Sequence, residues 1–229
     1  MISIVSVCHD RQYCLDEVLP SWLAQEGIDF EIVIVVGPNI KRIEHPKVRY
    51  IDWPTKDFKG TCVGWNAGYK AAKHDIIYSC YSDMVLQDKR YIARFLAHYG
   101  PNKIVNRQMI RADGSLDEGI WCYGFLVGKD LIAKSGGWDE RYDGGYAWED
   151  GHTIHSLVDA GGEMVILKVL PKDKALRHVD HPNCRDAADW TEKYVRNKRI
   201  YNKSFPKITL MDLYRSGKFK VYEDYPDTD

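Results

Sequence analysis

Three short, almost wholly apolar and β-branched segments restrict the fold of this 229-residue chain more than any other feature. They are ISIVSVC at 2–8, EIVIVV at 31–36 and IIYSCY at 76–81. A strand with one wet face alternates apolar and polar residues. A strand that is apolar throughout is covered on both faces, as in a parallel sheet between two layers of helix. The intervening stretches carry helix patterns. Residues 13–25 set Leu15, Val18, Leu19, Trp22 and Leu23 at helical spacing, with Pro20 expected to kink or divide the helix. Residues 48–52 read as another strand and 61–73 as a helix rich in small side chains. Strands alternating with helices imply parallel pairing through right-handed crossovers. The predicted fold class is therefore α/β, with ligands bound beyond the carboxyl ends of the strands. The polar clusters there are His9, Asp10 and Arg11, then Gly37, Pro38 and Asn39, then Ser82 and Asp83.

The second half is less regular. A strand is expected over 121–127, a short helix over 129–135, a helix over 149–160 and a strand over 163–169. The last residues, 223–229, are acidic and expected to fray. No internal repeat or low-complexity segment is present. A formal net charge of -1 gives no global preference for nucleic acid or membrane, so any such preference must be local. Six cysteines, several in apolar runs and none in CxxC spacing, read as reduced core thiols. No basic, then apolar leader and no run of roughly 18 apolar residues is seen, so a cytoplasmic protein is expected.

Two acidic positions stand out. Asp83 directly follows an apolar strand, where a carboxylate can hold a divalent cation through oxygen and so help a diphosphate leave. The same position also suits a turn or a helix cap. The segment GGWDERYDGGYAWEDGH, 136–152, concentrates acids, aromatics and glycines ahead of a helix. Trp138, Tyr146 and Trp148 offer flat faces that suit sugar rings. Glu149 and Asp150 can cap the helix, or accept a proton from an attacking hydroxyl. His178 and His181 flank Asp180 in a polar loop and raise the prospect of a metal site. His152 and His155 carry no assigned role. No GxxxxGK[ST], GxGxxG or GxSxG motif occurs.

In order, four stretches over 2–162 resemble the family-2-like GT-A glycosyltransferases. SIVSVCHDRQYCLDEVLPSWLAQ is similar to the family's opening SIVIPTYNR…L…SL..Q, and FEIVIVVGPN to its second strand, EIIVVDDGS. GWNAGYKAAKHDIIYSCYSDMVL resembles ARNxGxxxAxGxYIxFLDxDxxx, and GGWDERYDGGYAWEDGHTIHSLVDAGG resembles GGFDExx…EDxDLxxRxxxxG. The resemblance implies a GT-A, Rossmann-like fold and transfer of a sugar from a nucleotide-diphospho-sugar, a UDP-sugar above all, to an acceptor hydroxyl with inversion. Asp83 matches the last acid of DxD, the usual ligand of Mn²⁺ or Mg²⁺, and His178 lies where some members complete the metal site. Asp150 matches the catalytic base, with Glu149 in support. Cys8, His9, Asp10, Arg11, Val36, Gly37, Pro38, Asn66, Tyr81, Ser82 and Asp83 would line the donor site. Trp138, Tyr146 and Trp148 would meet the acceptor.

Several positions depart from the family pattern. The first acid of DxD is Tyr81, the acid after the second strand is absent from VGPN, the second acid of EDxD is His152, and the following arginine is Ser156. They leave room for a competing class, a non-catalytic nucleotide-sugar-binding protein. The expected organisation is one catalytic domain over 1–185, with a nucleotide-sugar half near 1–100 and an acceptor half near 101–185. A basic helical extension follows over 186–229. Residues 190–220 carry nine Lys or Arg against two acids. That extension is open to three readings: a solvated helix face, contact with anionic membrane, or contact with nucleic acid, as in glycosylation of a modified DNA base. The acceptor is accordingly a glycan, a lipid-linked glycan or such a base.

Overall fold

The structure, a computed structural model, describes residues 1–107, 109–110, 116–117, 124–168, 176–179, 188–205, 210–215, 217 and 219–223. In chain order the first half comprises β1 (Ile2–Cys8), α1 (Gln12–Leu23), β2 (Phe30–Val36), β3 (Val48–Asp52), α2 (Cys62–Ala71), β4 (Ile76–Cys80), β5 (Met84–Leu86) and α3 (Tyr91–Ala97). The second half comprises β6 (Lys103–Arg107), β7 (Met109–Ile110), β8 (Leu116–Asp117), β9 (Gly124–Gly128), α4 (Lys129–Ser135), α5 (Glu149–Asp159), β10 (Glu163–Lys168), β11 (Leu176–His178), α6 (Trp190–Ser204), α7 (Leu210–Arg215) and β12 (Lys220–Glu223).

Eight strands form one sheet in the order β12-β10-β6-β9-β4-β1-β2-β3. Its strands pair in parallel except at β9, which runs antiparallel to β4 and β6. The apolar runs take the central places, as their lack of alternation requires. Every residue of β1 is buried, and Ile32, Val33, Ile34 and Val35 of β2 are each fully enclosed. Alternate residues feed two cores. Ile4, Ile32 and Ile34 meet Leu15, Val18 and Trp22 of α1 on one face. Val5, Val33 and Val35 meet Trp65 of α2 on the other.

One expectation takes a different form. α1 runs through Pro20 as a single helix. Pro20 lies on its exposed side, where water can satisfy the carbonyl that loses its backbone donor. The strand expected over 121–127 begins at Gly124 among the described residues, and 121–123 lie outside them. Within the segment expected as an extension, two elements contact the rest of the chain. β12 pairs in parallel with β10 at the sheet edge, and α6 packs on the loop before α5. The acidic tail at 224–229 lies outside the described residues.

Candidate active site

The carboxyl ends of β1, β2 and β4 carry most of the residues expected from the sequence to meet a donor. Cys8 closes β1 and is buried, and burial pushes its thiol up to about 11, so it is a neutral core group near pH 7. Its Sγ donates to the Arg11 carbonyl at 3.5 Å. Gly37, directly after Val36, must be glycine: a Cβ there would overlap the His9 carbonyl oxygen. Asp10 and Pro38 are exposed beside this turn. The His9 ring packs on Trp53 at 5.1 Å and on Phe58 at 4.3 Å between centroids. Trp53 follows β3, and Phe58 is 48% exposed. Sequence reading missed both residues. The signal available to it was the run of aromatics at 53 and 58 after a predicted strand.

Beyond β4 the chain turns through Tyr81, Ser82 and Asp83 and returns as β5. β5 pairs antiparallel with β11, so that His178 faces Met84 in register and the Val179 amide donates to the Asp83 carbonyl at 2.7 Å. This pairing brings His178 Nε2 to 3.5 Å from Asp83 Oδ2, and Arg11 Nη1 lies 3.9 Å from the same oxygen. The carboxylate oxygen suits a hard cation such as Mn²⁺ or Mg²⁺, and the imidazole nitrogen beside it fits Mn²⁺ better than Mg²⁺. Among the described residues no group of three or more His, Cys, Asp or Glu converges in this way. The remaining positions would fall to a diphosphate and water. His181 and Asp180 lie outside the described residues.

Glu149 and Asp150 form the first turn of α5, where the positive end of the helix dipole favours carboxylates. Two consecutive non-glycine residues before them, Ala147 and Trp148, have φ of 59° and 72°. Such left-handed conformations cost energy and persist only when surroundings impose them. α6 imposes this one. Asn197, 1% exposed, donates from Nδ2 to the Tyr142 carbonyl at 3.2 Å and the Ala147 carbonyl at 3.0 Å. From the other side Asp143 accepts from the amides of Cys62 and Val63 at 2.9 and 3.0 Å, capping α2.

Asp150 Oδ1 accepts a hydrogen bond from the Tyr81 hydroxyl, which joins the end of β4 to the start of α5. Burial raises Asp150 above the ordinary aspartate range against the pull of that hydrogen bond, and nearby Asp83 raises it further. Glu149 rises further still, through burial first and then the Asp150 charge. Its Oε2 is shut off from solvent and meets no hydrogen-bond partner among the described residues. Two half-buried carboxyls of unequal proton affinity suit one proton-holding and one proton-accepting group.

Other predicted residues have structural tasks. Asn66, expected near the donor, spends its amide within the fold: Nδ2 donates to the Trp138 carbonyl and to Glu140, both at 2.8 Å, and Oδ1 accepts from the Trp138 amide at 2.9 Å. Trp138, expected at the acceptor, is 3% exposed and stacks on Trp65 at 5.5 Å. Its ring is core, because the Asn66 clamp turns it under the sheet rather than outward. Tyr146 and Trp148 stay partly exposed and gain partners from α6. Tyr146 lies 6.0 Å from Trp190, Trp148 lies 5.7 Å from Tyr194, and Trp190 stacks on Tyr194 at 5.0 Å. His152 and His155 are buried and held below the usual histidine range by burial. His155 stacks on Phe205 at 3.7 Å.

No protein-family model matches the chain, and no curated protein matches it in sequence. Solved structures do match it. TarS from S. aureus, in complex with UDP-GlcNAc, superposes with a TM-score of 0.66 at 12% identity, over 95% of this chain and 70% of that one. Drosophila β1,4-galactosyltransferase 7, with manganese, UDP-Gal and xylobiose, gives 0.62 at 15% identity, over 92% and 84%. The mannosyltransferase PcManGT from Pyrobaculum calidifontis, with GDP-Man and Mn²⁺, gives 0.63 at 13% identity, over 93% and 66%. Identities this low speak to the fold alone, and the likeness is to GT-A proteins at large rather than to family 2 in particular. The mainly parallel sheet, its helical layers and these superpositions agree: the chain has the GT-A fold of the glycosyltransferases.

Proposed function

We propose that this protein transfers a sugar from a nucleotide-diphospho-sugar, a UDP-sugar first among them, to the hydroxyl of a sugar acceptor, with inversion. The observation that supports this most is the Tyr81-held Asp150 at the start of α5, beside the turn after β4 that carries Asp83, to which β11 brings His178. In this reading the donor lies across the carboxyl ends of β1, β2 and β4. Arg11 meets the diphosphate, and His9, with Trp53 and Phe58, lines the nucleoside side with Cys8, Asp10 and the Val36, Gly37 and Pro38 turn. Asp83 and His178 would hold a divalent cation, which would neutralise the departing diphosphate. Asp150 takes the proton of the acceptor hydroxyl as that oxygen bonds to the anomeric carbon. The bond from that carbon to the diphosphate breaks on the opposite face, and the nucleoside diphosphate leaves with the electron pair. Glu149, protonated more readily, stays neutral beside the ionised base. Tyr146 and Trp148, joined by Trp190 and Tyr194 of α6, offer the acceptor ring an aromatic wall.

The fold neighbours lend no support to a nucleic-acid or membrane surface on the basic helix, whose inner face holds the catalytic loop. Among the described residues no helix is long and apolar enough to cross a membrane. Buried free thiols at Cys8, Cys14, Cys62 and Cys80 fit a reducing compartment such as the cytoplasm.

The test is a panel of nucleotide sugars with sugar acceptors, with and without Mn²⁺ or Mg²⁺. Turnover is expected only with metal, with the product's anomeric centre inverted by NMR. Asp150→Asn should abolish transfer while leaving UDP affinity intact. Retention of configuration would remove Asp150 from the base role, and metal-independent turnover would refute the Asp83 and His178 assignment.

A further inference from the structure

Tyr81 stands where the resemblance leads one to expect an acid, and its partner is the residue that resembles the base. Its ring is set edge-on to Trp65 at 5.4 Å, and Trp65 in turn is stacked on the clamped Trp138. The phenol is therefore mounted on a rigid aromatic column running from α2 through the loop after α4. Its hydroxyl has one proton to give, and that proton goes to Asp150 Oδ1. A carboxylate at the first turn of a helix can rotate about its last side-chain bond. A fixed donor on one oxygen selects one rotation and leaves Oδ2 to meet the incoming hydroxyl. An acid at position 81 would instead set a further negative charge against Asp150 and Glu149.

We propose that Tyr81 is a positioning residue for the catalytic base, holding the Asp150 carboxylate in the orientation that accepts the acceptor's proton. The role rests on the transferase reading above. It differs from the donor contact that its place in the DxD-like stretch implies, and it ties the strand that carries Asp83 to the helix that carries the base.

The test is Tyr81→Phe, which removes the hydroxyl and keeps the ring on Trp65. A charge-assisted hydrogen bond of ordinary strength corresponds to a fall in kcat of about tenfold or more. UDP affinity by calorimetry, with Mn²⁺ present, should stay within about twofold of wild type, as should KM for the donor. A thermal melt unchanged from wild type separates positioning from loss of fold, and Tyr81→Leu, which also removes the ring, should add a loss of stability. Wild-type kcat in Tyr81→Phe would overturn the positioning role alone. A fall in UDP affinity matching the fall in rate would return Tyr81 to the donor site. A wild-type chain that turns over no donor in the panel would overturn both the transferase reading and the role that rests on it.

Discussion

Replacing Trp138 separates two opposed roles for one residue. By sequence it is an aromatic in a glycine-rich loop next to the acidic pair, a natural sugar platform. In the structure it is 3% exposed, stacked on Trp65 at 5.5 Å and Phe125 at 6.1 Å, with Tyr69 at 6.0 Å. A buried tryptophan removes about 200 Å² from water, worth about 5 kcal/mol at roughly 25 cal/mol per Å². Truncation to alanine should therefore cost about 3–5 kcal/mol, a large part of the ~5–15 kcal/mol that holds an ordinary domain folded. Trp138→Phe keeps one ring in the stack and should cost roughly 1–2 kcal/mol by the same area argument. Urea unfolding followed by far-UV circular dichroism measures both as shifts in midpoint at constant slope. KM for the sugar acceptor, measured on the folded Phe variant, should be unchanged. If Trp138→Phe kept the wild-type midpoint while that KM rose tenfold, the ring would be an acceptor platform and its core assignment would be wrong.

Three further outcomes follow from named contacts. Asp143→Ala strips the cap from the Cys62 and Val63 amides and should lower stability by about 1–2 kcal/mol, with Asp143→Asn costing less; the urea midpoint measures it. Because Glu149 titrates higher folded than unfolded, the folded state binds the extra proton, and stability is lost as pH rises through its raised range. Glu149→Gln should therefore raise the melting temperature relative to wild type, and by more at pH 8 than at pH 5; a difference independent of pH would refute this. His178→Ala should weaken UDP binding in Mn²⁺ by roughly tenfold, equivalent to ~1.4 kcal/mol, and leave binding in EDTA unchanged by calorimetry.

The parts of this fold that are legible in the sequence are those with a strong local signature. β1, β2 and β4 announce themselves because strands covered on both faces cannot alternate, whereas the reason for glycine at 37, its passage against the His9 carbonyl, depends on the fold. β12 is four residues long with no period to read, and its membership of the sheet depends on pairing with β10. α6 looks like a solvated basic helix because most of its residues are one. The inward residues that dock it, Asn197 and Tyr201, are too few to outweigh that charge. Trp53 and Phe58 join His9 only through the register of β1, β2 and β3, which no local pattern encodes. The approach of Tyr81 to Asp150 is of the same kind, a contact between a strand end and a helix start far apart in the chain.

The strained approach to α5 explains why the chain would pack α6 against this loop. Ala147 and Trp148 at positive φ cost of the order of 1–3 kcal/mol each, and the half-buried acids after them add to the burden. Something must hold the loop in place, and α6 does so through one fully buried amide. Asn197→Ala removes donors to the Tyr142 and Ala147 carbonyls, and at roughly 1–3 kcal/mol for each buried group left unpaired the loss should be about 2–5 kcal/mol. Some of that loss should be recovered by release of the strain, so the low end is expected if the loop relaxes. Relaxation carries its own signature, because Glu149 and Asp150 would then leave the geometry that Tyr81 and the helix start impose. Asn197→Ala should thus lower kcat by more than it lowers UDP affinity, and Gly145→Ala, whose Cβ would overlap the Asn197 side chain, should do the same by pressing on the clamp from the other side. If both variants lose stability yet keep wild-type kcat on the folded fraction, the clamp serves the fold and not the placement of the acids.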